Sequence, residues 1–539
     1  MSHRCTKAIA ILTAAAMTLL PATPALANSA TATPIQHIVV IFQENVSFDH
    51  YFGTYPNALN PPGEPAFYGR PNTPPVNGLS NSLLTKNPNL NPANGLGATN
   101  PFRLDRSQAV TRSQGHGYKQ EQQAFDNGLM DLFPLYVGRS GPPPAGGGVT
   151  STTGVNLGYF DGNTVTAMWN YAQHFAMSDN SYSTGFGPST PGMLNLVSGQ
   201  TNGAINISPA TITFGEVVDG GAGSSTVIGD PDPVGDFCSG SAVVSMKGQN
   251  VGDLLNAAGV SWGAFMGGFD LTIQNPNGTT GCKRSSTGLA ATIGDYIPHH
   301  AWFQYYPTTA NLTHARPASI AEIGNAGPAN HQYDINDFFA AVNAGNFPAV
   351  NFLKAQAYQD GHAGYSDPLD EQTFVVNVLN FLQSRPEWSS TAVVIMYDDS
   401  DGWYDHQIGP ILNQSHGVAD ALTGTGLCGS AADSTALPGV DPLNAHALGR
   451  CGLGPRQPLL VVSRWARQNF VDHSVTDQSS VLRFIEDNWL QGQRIGQGSF
   501  DTITNSITQM FDFSQNNNSQ GGVLFLDPTT GLILNQNNQ

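Results

Sequence analysis

Charge is what this chain has least of. Asp, Glu, Lys and Arg together make up 11% of its 539 residues, well under the ~25% of an average globular chain. Only 21 of them are Lys or Arg, against 39 Asp and Glu, for a formal charge of −18. Such a balance excludes a broad basic surface, so nucleic acid is not an expected partner and an anionic bilayer is repelled. Long apolar runs are missing too. The segment Ala8–Leu20 falls short of the ~20 residues needed to span a bilayer, and no later stretch comes closer, so no stable membrane anchor is expected. Cysteine is scarce, five in all, and the absence of a C-x-x-C pair argues against a zinc site.

What is present at the amino terminus explains the apolar stretch. Arg4 and Lys7 precede it, and Ala25-Leu26-Ala27 follows it. A basic start, a short apolar core and a small-residue end predict a secretory signal over residues 1–27, cleaved after Ala27. Without Arg4 and Lys7 the remainder holds 19 basic and 39 acidic side chains, a formal −20. An anionic substrate then needs a local cation. Cys5 leaves with the signal, and an oxidising compartment suits two disulfides among Cys238, Cys282, Cys428 and Cys451. The simplest pairing, Cys238–Cys282 with Cys428–Cys451, closes two local loops. The expected location is the periplasm or the cell exterior.

Residues 28–539 have room for one large domain or two, and a single domain is expected. Two β-branched runs predict buried strands: Ile35–Phe42, ending in Gln43-Glu44-Asn45, and Thr391–Tyr397, ending in Asp398-Asp399. Gln457–Ser463 and the shorter Val350–Leu353 are further candidates. Continuous apolar strands suit a mainly parallel sheet covered on both faces. Helical spacing appears over Asp334–Asn343, Asp370–Gln383 and Ser479–Leu490, and this alternation predicts an α/β architecture. Between these elements lie an irregular excursion over 53–112, a loop-rich, cap-like region over about 214–316, a Pro- and Gly-rich tip at Gly141–Gly148 and a polar tail over 514–539.

Ligands in open α/β sheets bind at the carboxyl ends of parallel strands. Glu44 with Asn45 and Asp398 with Asp399 stand at two such ends. Three carboxylates and an amide are hard oxygen donors suited to a divalent cation, although each residue alone is a common helix cap. Ser189 lies in Gly185-Phe186-Gly187-Pro188-Ser189-Thr190-Pro191-Gly192, where Pro191 can open a helix. A hydroxyl at a helix amino terminus has free N–H groups and a favourable dipole beside it; a capping serine is the plainer alternative. The G-x-S-x-G elbow of serine esterases is not met there, since Pro191 takes the place of the second Gly. His116, His299, His300, His362 and His406 occupy loops and can neutralise phosphate oxygens or protonate a leaving group.

These segments resemble the bacterial phosphoesterase family of nonspecific phospholipases C and related acid phosphatases. The resemblance rests on His37–Gly53, Gly187-Pro188-Ser189-Thr190-Pro191, Tyr397–His406, Arg450–Pro458 and Ser479–Glu486, in that order. It departs from the family at Val46, where Arg is usual, at Ser189, where phospholipases C show Thr, and at Gly192, where Asn is usual. The resemblance implies an alkaline-phosphatase-like α/β core with loop-rich insertions, one divalent metal on Glu44, Asn45, Asp398 and Asp399, and Ser189 as nucleophile. It places His116, His299, His300 and His362 around the phosphate. The expected substrate is a phosphate ester, foremost a monoester, with phospholipid diesters as the alternative. A serine carboxylesterase built on Ser189, His406 and Asp405 is a remoter one.

Overall fold

A computed structural model describes Met1 and residues 31–141, 148–221, 223–415, 417–423, 427–429, 450–514 and 522–534. The expected signal over 1–27 therefore lies outside the described residues apart from Met1, as do most of the tip at 141–148 and parts of the tail. Among the described residues the core is a nine-stranded sheet. Its strands in chain order are β1 (His37–Gln43), β2 (Ala176–Tyr182), β3 (Trp262–Met266), β4 (Gln332–Asp334), β5 (Val350–Lys354), β6 (Thr391–Tyr397), β7 (Arg456–Ser463), β8 (Phe470–Asp472) and β9 (Thr476–Asp477). Across the sheet the order is β4-β3-β5-β1-β6-β7-β2-β8, with β9 also paired to β2. All pairs are parallel except those of β7, which runs against both β6 and β2. The sheet is thus mixed, and the run at 457–463 is its reversed strand.

Every residue of β5, β6 and β7 is buried, so both faces of the central strands are covered, as their unbroken apolar sequences require. Two pairs of the longer helices pack together. One joins α1 (Thr166–His174) to the later α4 (Pro368–Gln383); the other joins α2 (Ser189–Ser198) to α5 (Ser479–Trp489). Between them in sequence, α3 (Ile335–Asn343) starts at an Asp334 cap whose side chain accepts from Asn336 N. Helix α4 begins two residues before the predicted Asp370, because Asp367 caps it and Pro368 fills its first turn.

The segment 214–316 is loop-rich, but it also contains β3, an integral strand of the sheet. The structure contains both expected disulfides, Cys238–Cys282 and Cys428–Cys451. Among the described residues, no helix is long and apolar enough to cross a membrane.

Candidate active site

Strand register builds the site. Gln43 of β1 pairs with Tyr397 of β6, so the next residues, Glu44 and Asp398, leave the sheet side by side. Asn45 turns away with φ of 58°, a left-handed conformation that Asn tolerates better than most residues. Its backbone N–H donates to Asp398 Oδ1 at 3.0 Å, and Asp399 N donates to the same oxygen at 2.8 Å. Asp398 Oδ2 and both polar atoms of the Asn45 side chain are buried with no hydrogen-bond partner. Buried orphan acceptors are costly, and acceptors that converge beside carboxylates fit a divalent cation.

The ionisation of the group supports this fit. Burial and the Asp398 charge push Glu44 well above the usual carboxylate range, against the pull of Lys354. Burial and Asp398 do the same to Asp399. Burial alone would raise Asp398 too, but Lys354 and hydrogen bonds from its neighbours hold it low. Carboxylates this crowded repel one another until a cation joins them.

Ser189 opens α2, two residues before Pro191. The helix cap is Pro188, and no side chain caps it. The serine hydroxyl instead donates to Glu44 Oε2 at 3.1 Å and to Asp399 Oδ2 at 3.2 Å. The capping alternative thereby falls away. Two glycines make this approach possible. Gly187 adopts φ of +116°, a left-handed conformation. A Cβ at Gly192 would stand 2.4 Å from Asp398 O, so no larger residue fits there unless that backbone shifts.

The four histidines fall into two pairs around this centre. His116 Nδ1 lies 3.0 Å from Asp401 Oδ1, and His362 joins them closely enough for three ligating atoms to converge. Burial opposes protonation of His116, yet Asp399 and Asp401 raise it well above the free imidazole. His362 is lowered, chiefly by burial. His300 Nδ1 sits 3.3 Å from Glu44 Oε1, and burial, then Lys354, push it well below its usual value. His299 packs on His300 with its Nδ1 3.5 Å from Asp232. Burial works against its charge, but Asp232 and Asp230 outweigh it and raise the pKa.

Three contributors escaped the sequence reading. Lys354, the last residue of β5 and 1% exposed, pairs with Glu44 Oε1. Glu121 accepts from Gly187 N and from Ser400 Oγ, both at 2.9 Å, and so ties the Ser189 loop to the acidic loop; burial raises its pKa to about 8. Asp401 donates its N–H to Asp399 Oδ1 at 2.7 Å. Signals existed: Lys354 stands at the carboxyl end of an apolar strand, as Glu44 and Asp398 do, and Asp401 lies two residues past Asp399.

His406, by contrast, belongs to another cluster. Its Nδ1 lies 2.7 Å from Asp49 Oδ2, and buried Arg456 bridges Asp49 and Asp405. Ser189 bonds Glu44 and Asp399, not this group, so the esterase triad does not form. Burial opposes both charges of the pair, but Asp49 raises His406, and His406 and Arg456 hold Asp49 low. The histidine's contribution is complete below its unfolded pKa of about 6.5 and is lost as pH rises through its higher folded value. The aspartate's is complete above about 3.9 and is lost as pH falls through its lower folded value. The pair thus stabilises most between these limits. His406→Gln, which keeps a donor but no charge, should cost about 2 kcal/mol near pH 5. Thermal melts of both proteins should converge as pH rises towards 9; a gap that stays constant with pH would contradict the charge assignment.

Residues 35–490 match the Phosphoesterase family. The chain is 25% identical to the non-hemolytic phospholipase C of Pseudomonas aeruginosa, over 92% of this chain and 60% of that one. It is 26% identical to the non-hemolytic phospholipase C of Burkholderia pseudomallei, over 88% and 59%. With phospholipase C A of Mycobacterium tuberculosis the identity is 24%, over 90% and 79%. The chain spans about 60% of the length of the first two relatives. Murine ectonucleotide pyrophosphatase/phosphodiesterase 5 overlays with a TM-score of 0.31 and 11% identity, over 65% of this chain and 95% of that one.

Proposed function

This chain belongs to the Phosphoesterase family, and from that premise we propose that it is an exported, metal-dependent hydrolase of phosphate monoesters with Ser189 as nucleophile. The observation that carries the reading is the Ser189 hydroxyl, held by Glu44 and Asp399 beside the orphan oxygens of Asn45 and Asp398. A divalent cation on Glu44, Asn45, Asp398 and Asp399 would polarise a nonbridging phosphate oxygen and favour the serine alkoxide. Ser189 passes its proton to one of the carboxylates it already bonds. Its Oγ–phosphorus bond forms as the bond to the alcohol oxygen breaks, and an imidazolium protonates the departing alkoxide. His116 and His299 are the donors whose acidic neighbours keep them charged. His300 and His362, held neutral by burial, remain to bond phosphate oxygens. Water then attacks phosphorus, gives its proton to the waiting histidine and frees the serine, which recovers its own from the carboxylate.

Residues 28–539 act as one catalytic domain in this reading. The two disulfides support an oxidising compartment, consistent with export by the signal at 1–27.

Phospholipid diesters are the second reading, supported by relatives named as phospholipases C. Purified protein with a divalent metal and two substrates, an aryl phosphate monoester and phosphatidylcholine, separates the two. Phosphate should appear from the monoester with the higher kcat/KM. Preferential release of phosphocholine would establish the second reading, and inertness towards both esters would refute the hydrolase altogether.

A further inference from the structure

We propose that Lys354 is a specificity-determining residue, whose ammonium group favours the doubly charged phosphoryl group of a monoester over a singly charged diester. The inference rests on the phosphoesterase reading and deepens it. Lys354 ends β5, beside β1, and its Nζ meets Glu44 Oε1, while the other oxygen of that carboxylate accepts from Ser189. One carboxylate therefore separates the ammonium from the nucleophile. Glu44 Oε1 is also 3.3 Å from His300 Nδ1, so the cation stands among the groups that surround the reacting phosphate. The lysine stem is buried, with Nζ 5.7 Å from the centre of the Phe42 ring, which fixes the charge in place.

Stability alone does not require a buried pair here. A buried ion pair is often matched or bettered in stability by apolar residues of similar size. The neighbouring strand ends show what an apolar replacement would look like, since Met266 of β3 pairs directly with Lys354. The substrate has more to gain. A phosphate monoester carries between one and two negative charges near neutrality, because its second pKa is about 6, whereas a diester carries one. Around the site stand Glu44, Asp398, Asp399, Asp401 and Asp360, the last converging with Glu44 and His300, all buried, and a single divalent ion does not offset five carboxylates. The other basic groups described around the site are the imidazoles of His116, His299, His300 and His362. A fixed ammonium thus compensates the second phosphoryl charge, and Coulomb attraction scales with that charge.

The test compares wild type with Lys354→Met, which keeps length and volume, and Lys354→Arg, which keeps charge. All are assayed with saturating divalent metal, on an aryl phosphate monoester and on the corresponding aryl diester. Damage to metal binding or to folding lowers both activities alike; loss of charge recognition does not. Lys354→Met should lower the monoester-to-diester ratio of kcat/KM at least tenfold, and Lys354→Arg should restore most of it. Equilibrium binding of inorganic phosphate should weaken in parallel. Where the Met protein does not fold, Lys354→Gln serves as the neutral variant. An unchanged ratio, or an unchanged affinity for phosphate, overturns the proposal. A wild type that hydrolyses neither ester yet binds phosphate through Lys354 would instead refute the hydrolase reading and leave the charge recognition standing.

Discussion

Ser189→Ala should lower phosphate monoester turnover by at least roughly a thousandfold while leaving the fold intact. Both halves of the expectation follow from where the hydroxyl points. Ser189 begins α2, yet its side chain does not cap that helix, and Ala is the best helix former at interior positions. What the substitution removes is the oxygen lying between Glu44 and Asp399. The two carboxylates then lose a donor they share at 3.1 and 3.2 Å, a loss of about 1 kcal/mol apiece. Residual activity of the variant would come from water attacking a phosphate that is still bound and polarised. Wild type stopped in acid during turnover should carry radiolabelled phosphate on Ser189, and the variant should carry none. Full activity in the alanine protein would remove the nucleophile from the mechanism and leave only a metal-activated water.

Removal of the metal should abolish turnover and lower the melting temperature together. Among buried groups, Glu44, Asp398 and Asp399 are driven apart by their own charges, and Asp398 Oδ2 and Asn45 Oδ1 bond nothing else. A divalent cation bound only by the folded state stabilises it by RT ln(1 + [L]/Kd), about 4 kcal/mol at a thousandfold excess over Kd. For a chain of this size that is a shift of several degrees. A thermal melt with chelator, and another after restoring each of several divalent cations, reads the effect without any substrate. Asp398→Asn should reproduce the chelated state, with little further response to added metal. A melting temperature indifferent to chelator would refute the site, because four converging oxygen donors cannot hold a cation without gaining stability from it.

Much of the sheet is legible in the sequence, and the reason is burial on both faces. Strands β1 and β6 appear there as β-branched runs, and Glu44 and Asp398 announce themselves as the first acidic residues after them. Ala176–Tyr182, which became β2, carries Ser178, Asp179, Asn180 and Ser181, so no periodicity marks it. It is a strand because β7, β8 and β9 all bond to it. Gln332–Asp334 is too short to register at all. The reversed direction of β7 leaves no trace in composition, since a fully buried antiparallel strand reads like a parallel one. In the site, residues adjacent to strand ends or in named motifs were within reach. Glu121 was not, because its role depends on a loop 66 positions away, and nothing local in Tyr118–Phe125 distinguishes a clamp from an ordinary helical glutamate.

The hydrogen bonds of Ser189 join positions 145 and 210 apart in the chain, and the pair Lys354–Glu44 closes over 310. Contacts of such sequence separation form slowly and late, after the loops between them have lost their entropy. An amino-terminal fragment that stops short of β7 should therefore be inactive rather than weakly active: a chain ending before Thr391 lacks β6 and both aspartates, and one ending before Arg456 leaves β6 with an open edge. Activity should emerge only when the whole sheet has closed, which separates in time the making of this protein from the start of its chemistry.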